Sequence, residues 1–236
     1  MKVFIGVGHG GQDSGAVGHL VEKDVNLVEA LACRDFLQTH GVKVLMSRTS
    51  DENDPLTDEI KECNAFSPDL AVDCHNNAGG GDGFEAYYYS GGGKSKILAE
   101  NIEAEVKAIG QNSRGCKIRM NSNGKDYYGF IRETKCPAVI VEGCFVDNAT
   151  DVQIADTKEK QKAFGEAYAK GILRTLGIEV KENTEQNTPQ NNSNKEEKYY
   201  VQVGAYAQKE NAEKQLQSVK DAGFSDAFVR VIEQNN

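Results

Sequence analysis

Four residues of this chain could together carry metal-assisted hydrolysis: His9, Glu22, His75 and Glu142. A hydrolytic zinc ion takes three protein ligands from imidazole and carboxylate groups and keeps a fourth position open. His9, Glu22 and His75 offer that set. Three of the four residues lie where an apolar run stops: His9 after residues 3–7, His75 after residues 70–74 and Glu142 after residues 138–141. Open α/β sheets gather their chemistry at the carboxyl ends of their strands, so this placement weighs more than residue type. A carboxylate directly after four apolar strand residues should be half buried, which is costly unless it is paired or used. The use that fits Glu142 is that of a general base.

Other readings of the same residues stay open at this level. His9 also fits a turn rich in glycine (Gly8, Gly10, Gly11) that happens to hold a histidine. Glu22 also fits a first-turn carboxylate that stabilises a helix dipole. Of the two remaining histidines, His19 is a rival ligand in a loop, and His40 sits at a predicted helix C-terminus, where a cation suits the dipole.

The elements that must position these residues alternate. Strand-like runs cover residues 2–7, 42–47, 70–74, 84–89 and 138–141. Helical spacing covers residues 24–40, 56–66, 96–109 and 159–176, with Gly41 and Gly177 as C-terminal stops. Such alternation predicts an α/β domain with a mostly parallel central sheet flanked by helices, over residues 1–178. Residues 179–197, rich in Asn, Glu, Gln, Lys and Thr, read as a flexible linker. Residues 198–236 read as a small βαβ unit, with Ala212, Leu216 and Val219 on one helix face. About 40 residues make a core at the limit of independent folding.

Composition narrows the function. A formal charge of −9 over 236 residues argues against a nucleic-acid binder, and no run is long enough for membrane insertion. No secretory signal is expected from the opening residues, which points to synthesis in the cytoplasm. Six cysteines without close pairing are expected to be reduced and mostly buried.

Several segments, in order, resemble a known family. Gly8-His9-Gly10-Gly11-Gln12-Asp13-Ser14-Gly15-Ala16 and Glu22-Lys23-Asp24-Val25-Asn26-Leu27 open the match. Ser47-Arg48-Thr49-Ser50-Asp51, Asp73-Cys74-His75-Asn76-Asn77-Ala78, Gly83-Phe84-Glu85 and the block from Pro137 to Asn148 follow colinearly. Together they resemble the zinc-dependent N-acetylmuramoyl-L-alanine amidases of the amidase_3 family. The resemblance implies His9, Glu22 and His75 as ligands of Zn2+ and Glu142 as the catalytic base for zinc-activated water. It implies cleavage of the amide between the lactyl group of N-acetylmuramic acid and L-alanine in peptidoglycan. Asn77 and Arg132 are candidates to orient substrate; turn hydrogen bonding and a surface charge explain them equally well. Two departures are Asp73, where a small polar residue is usual, and Cys144, where an aliphatic or small one is. Rival readings are a zinc peptidase acting within the stem peptide and a non-catalytic wall-binding protein.

Residues 198–206, with Asn211-Ala212-Glu213 and Ala222-Gly223-Phe224, resemble the first half of a SPOR domain, a family that binds peptidoglycan glycan strands. Period-2 alternation puts Tyr200, Gln202 and Tyr206 on one face, which suits sugar rings. Half a domain could be completed by a second copy across a two-fold axis, so a homodimer through this unit is expected. An enzyme made without a signal but acting on the wall needs a release route; a phage endolysin freed by a holin fits first, a mother-cell lysis enzyme or leaderless autolysin second.

Overall fold

The structure is a computed structural model that describes residues 1–180, 208–221 and 229. The chain divides into two units, Met1–Glu182 and Asn183–Asn236.

The first unit is built on six strands: β1 (Lys2–Val7), β2 (Lys43–Met46), β3 (Leu70–Asn77), β4 (Phe84–Tyr88), β5 (Ser113–Lys117) and β6 (Ala138–Phe145). Its helices are α1 (Glu22–Thr39), α2 (Leu56–Phe66), α3 (Lys94–Ala108), α4 (Gly129–Glu133) and α5 (Lys158–Leu176), with a 3₁₀ turn at Asp151–Ile154. The strands order as β2-β1-β3-β6-β4-β5. The pairs β1–β2, β1–β3, β3–β6 and β4–β5 are parallel, and only β4–β6 is antiparallel. The fold is therefore the expected mostly parallel sheet between helices.

The central strands are apolar on both faces because both are covered. The pleat sends Val3, Ile5, Val7, Val72, Cys74, Val139 and Val141 to one side, against Leu37, Leu98, Ile102, Phe164 and Ile172 of α1, α3 and α5. Phe4, Ala71, Ala138 and Ile140 go to the other side, against Ile60, Cys63, Phe130 and Ile131 of α2 and α4. Helix ends follow their local chemistry. Thr157 caps α5 by accepting from the Lys160 N–H at 3.3 Å, and Gly177 closes it in the left-handed region at φ 70°.

The sequence misplaces some boundaries. β3 continues to Asn77 and β6 to Phe145, beyond their apolar runs, so His75 and Glu142 lie inside strands and not after them. The ladder continues because it is made of backbone groups and tolerates polar side chains; its register shifts between His75 and Asn77. β5 and α4 are additions to the expected elements. β5 (SRGCK) has almost no apolar alternation, and α4 spans only five residues, too few for a helical period to register.

All six cysteines are free; Cys33, Cys63, Cys74 and Cys144 are buried. No helix among the described residues is long and apolar enough to cross a membrane. In the second unit, α6 (Lys209–Asp221) is described, and Ala212, Leu216 and Val219 are its half-buried apolar positions. Of the two strands expected around it, the first, with Tyr200, Gln202 and Tyr206, lies outside the described residues, and of the second only Val229 is described.

Candidate active site

The apolar stretch of β1 ends at Val7, and the next turn reverses sharply: His9 has φ 63° and Gly10 φ 140°. A non-glycine residue in the left-handed region has to be held there. Arg48, 2% exposed, does much of the holding. Its guanidinium donates to the carbonyls of Val7 (3.0 Å), Lys23 (2.9 Å) and Ser50 (3.0 Å). Asn26 Nδ2 donates to the Gly8 carbonyl at 3.0 Å. Asp51 accepts from the Gly11 N–H and from Lys23 Nζ, both at 2.8 Å.

This loop delivers His9 to Glu22, the first residue of α1. His9 Nε2 lies 3.2 Å and His75 Nδ1 3.0 Å from the same oxygen, Glu22 Oε1. The two rings meet edge to face with centroids 5.0 Å apart. Glu22 is buried, its other oxygen accepts from the Ala16 N–H at 2.8 Å, and Oε1 also takes the Asn76 N–H at 3.2 Å. One donor atom from each of His9, Glu22 and His75 falls within 4.8 Å of the others, so the three could hold a metal ion together. Backbone clearance supports this. A Cβ on Gly8 would lie 2.2 Å from the His75 ring, and one on Gly15 2.6 Å from Glu22 Oε2. Glycine at both positions leaves room only for the donors. Two imidazoles and a carboxylate are the nitrogen and oxygen donors that zinc takes, so the residues fit that ion.

The charges of the three groups depend on one another. Burial alone would raise the Glu22 pKa, but hydrogen bonds from His75 and His9 outweigh it and hold the carboxyl well below its usual range. Burial alone would lower His75, but Asp73, Glu22 and Glu142 outweigh it and keep the imidazole well above its usual value. Asp73 Oδ2 stands 3.4 Å from His75 Nε2. Asp13 Oδ2 lies 2.9 Å from His9 Nδ1. Each histidine thus has a carboxylate behind the nitrogen that faces away from Glu22, the arrangement that orients metal-binding imidazoles.

Glu142 is the register partner of His75 across β3–β6, and Glu85 is its partner across β6–β4. Partners across a ladder point to the same face, so the three side chains stand in a row. Burial pushes the Glu142 carboxyl up to about 7, helped by Glu22, Asp73 and Glu85 against the lowering effect of His75. A cavity of about 600 Å³ opens beside the histidines, lined among others by Asp54, Leu56, Glu59, Asp73 and Tyr128.

Asn77, a candidate to orient substrate, donates to Glu85 Oε2 at 3.3 Å, and its Oδ1 accepts from the Ala78 N–H at 2.9 Å. Arg132 is not brought to the donor cluster. Its guanidinium donates to the carbonyls of Asp126 (2.8 Å) and Tyr127 (2.9 Å) and pairs with Glu133. Residues that sequence reasoning left without a role are Arg48, Glu85 and the buried set Asn26, Glu29, Asn76 and Tyr168. Asn76 Nδ2 donates to Asn26 Oδ1 at 2.9 Å and its Oδ1 takes the Cys144 N–H at 2.9 Å. Asn26, Arg48, Asn76 and Glu85 stand inside the segments that carry the family resemblance, which was the available signal.

Fold and site define an α/β protein with two histidines and one carboxylate that could hold a metal ion and a buried carboxyl in register beside them. Comparison with known proteins agrees with that class. Residues 3–174 match the N-acetylmuramoyl-L-alanine amidase family, and the chain belongs to it. Residues 195–236 match the SPOR domain. The chain is 33% identical to the N-acetylmuramoyl-L-alanine amidase CwlM of Bacillus licheniformis over 97% of its own length and 84% of CwlM. It is 33% identical to the endolysin of Bacillus phage SPP1 over 76% of its length and 67% of the endolysin. Among solved structures, the catalytic domain of CwlV, an amidase from Bacillus (Paenibacillus) polymyxa var. colistinus, superposes with a TM-score of 0.68 at 28% identity, covering 75% of this chain and 99% of that one. The protein is an enzyme of this family, and its substrate is peptidoglycan.

Proposed function

We propose that residues 1–178 hydrolyse the amide between the lactyl group of N-acetylmuramic acid and L-alanine with zinc held by His9, Glu22 and His75 and with Glu142 as general base. The observation that carries this reading is the convergence of both histidines on one oxygen of Glu22 with Glu142 in register beside His75. When bound, the metal supplies a Lewis acid for the amide carbonyl and lowers the pKa of water. The chain's own groups do the rest. Asp13 and Asp73 fix which imidazole nitrogen faces the donor cluster. Glu142 takes a proton from water at its carboxylate and hands it to the departing L-alanine nitrogen, and burial, which raises its pKa above the usual carboxylate range, suits it to both transfers.

Mass spectrometry of peptidoglycan digested by the wild type and by Glu142→Ala tests this. Intact stem peptides with a new L-alanine N-terminus, released by the wild type alone, are expected. Shortened peptides would move the assignment to a peptidase, and no release by metal-loaded protein would leave a wall-binding role.

We also propose that residues 198–236, joined by a linker over 179–197, bind glycan through Tyr200, Gln202 and Tyr206 and pair with a second copy. The SPOR match supports the first part; a monomeric mass in solution would overturn the second. The biological setting we favour is lysis by an endolysin freed through a holin-type route, supported by similarity to the SPP1 endolysin. CwlM matches this chain over a larger share of its length, which favours a bacterial wall-lytic amidase as the second reading. Cells making the protein should lyse only once their membrane is permeabilised; lysis without permeabilisation would exclude the holin route.

A further inference from the structure

The row of charge that starts at His75 does not stop at Glu142. Glu85, 4% exposed, gathers four donors. Oε1 accepts from Arg114 Nε at 2.5 Å and Lys117 Nζ at 2.6 Å, and Oε2 from Tyr87 OH at 2.9 Å and Asn77 Nδ2 at 3.3 Å. Both cations come from β5, the edge strand beyond β4. Their side chains reach solvent, at 44% exposed for Arg114 and 35% for Lys117. The guanidinium also lies over the Phe145 ring, 5.3 Å from its centroid.

Neutralising Glu85 needs one cation, and it has two, both partly exposed on the β5 side of the row. The surroundings make this local. The cavity on the histidine side carries Asp13, Asp54, Glu59 and Asp73, and the whole chain has a net charge of −9. A buried carboxylate has to be paired, but one cation is enough for that, so the fold alone does not call for the second. Arg114 uses Nε for Glu85, which leaves the Nη1–Nη2 edge of the guanidinium for a second carboxylate in the bidentate manner arginine favours. The bonds to Glu85 also hold both cationic heads in place before anything binds, which lowers the ordering cost.

We propose that Arg114 and Lys117 form the subsite for a free carboxylate of the stem peptide, downstream of the amide that is cut. The proposal rests on the amidase reading and deepens it. Neighbouring strands lie about 4.8 Å apart, so Glu85 stands one strand from Glu142 with its cations on the far side. An extended peptide advances about 3.5 Å per residue, so an acidic residue one or two positions past the scissile bond spans that gap. In peptidoglycan that residue is a γ-linked glutamate, whose α-carboxylate hangs free from the chain.

The test uses two synthetic stem tripeptides that differ only in a carboxylate or carboxamide at this position. Calorimetry on the full metal-loaded chain reads their affinities, and turnover of the matching muramoyl peptides reads kcat and KM separately. The wild type should bind the carboxylate peptide about tenfold more tightly. Arg114→Gln and Lys117→Gln should bring the ratio towards one, through KM more than kcat, and Arg114→Lys should keep part of it. Equal affinity for both peptides in the wild type, or an unchanged ratio in both Gln variants, would overturn the subsite. Failure of the amidase reading looks different: neither muramoyl peptide would be cut at L-alanine, whatever the binding ratio.

Discussion

His75 of β3 and Glu142 of β6 are direct partners across a parallel ladder. Their spacing is therefore set by the sheet, at about 4.8 Å between strands, and not by a loop. A proposed metal ligand and a proposed base held in this way keep their relation when side chains around them change. Glu22 and His9 come from the less regular part of the site, and there the chain needs Arg48 and Asn26 to secure the backbone.

Glu142→Gln keeps the shape and removes the proposed base. Its activity should fall by about 10²–10⁴, the range typical of general acid-base groups, while zinc binding and thermal stability stay close to wild type. In the proposed mechanism the carboxylate is the active form, so activity should rise with pH through its pKa. That value is about 7 in the chain alone, and a neighbouring cation favours the charged form, so the acid limb in the loaded enzyme should lie at or below pH 7. A pH–rate profile checks this; a Gln variant that retains most of its turnover would remove Glu142 from the mechanism.

Stripping the metal should abolish activity and also soften the fold. An ion that binds only the folded state adds about 2.7 kcal/mol at a hundredfold excess over Kd, and His9, Glu22 and His75 offer it donors from three separate segments of the chain. Zinc titrated into chelated protein should raise Tm and restore turnover in parallel. Asp73→Asn should weaken zinc affinity by about 10–100-fold, the usual effect of losing a carboxylate behind a ligating histidine. Competition with a chromophoric chelator reads this without any substrate; an unchanged affinity would confine Asp73 to a structural role.

The sequence made the sheet and the two strand-borne candidates, His75 and Glu142, legible because apolar runs and their polar ends are local signals. It hid β5, whose identity as a strand depends on β4 beside it. It also hid what Glu85 and Arg132 touch. Glu85 matters through its register with Glu142 and its two cations from β5, both properties of strand pairing. In sequence Arg132 is a candidate to orient substrate or a plain surface charge, and its partners are the backbone carbonyls six and five residues earlier and Glu133. No residue pattern marks which charged groups a loop will turn to face.

Glu29 predicts a pH dependence of stability. It is fully buried, between Asn76 Nδ2 at 3.3 Å and Tyr168 OH at 3.2 Å, and its Oε1 has no partner. Burial pushes its pKa up to about 8, against about 4.3 for an unfolded glutamate. Between these values the folded chain binds the extra proton, so stability falls as pH rises. The contribution is full below about pH 4.3 and gone above pH 8, and each tenfold gain in proton affinity on folding is worth about 1.4 kcal/mol. Denaturant midpoints of metal-free protein should drop from pH 5.5 to pH 8.5, and Glu29→Gln should flatten that slope. An equal slope in the variant would place the dependence elsewhere.

Two glycine substitutions should separate fold from site. Gly165 sits on α5 where it crosses α1, and a Cβ there would come within 2.0 Å of the Glu29 carbonyl oxygen. Backbone cannot move aside as a side chain can, so Gly165→Ala should push the helices apart and lower stability by about 1–3 kcal/mol, the usual cost of overpacking. Gly8 lies at the end of β1, and there a Cβ would meet the His75 ring at 2.2 Å. A ring can rotate, so Gly8→Ala should cost less stability but turn His75 out of the cluster it forms with Glu22. The expected pattern is crossed: Gly165→Ala loses Tm and keeps most of its zinc affinity, and Gly8→Ala keeps most of its Tm in the metal-free state and loses zinc affinity. Loss of both properties together in Gly8→Ala would mean that the turn at His9 is a folding element first and a ligand platform second.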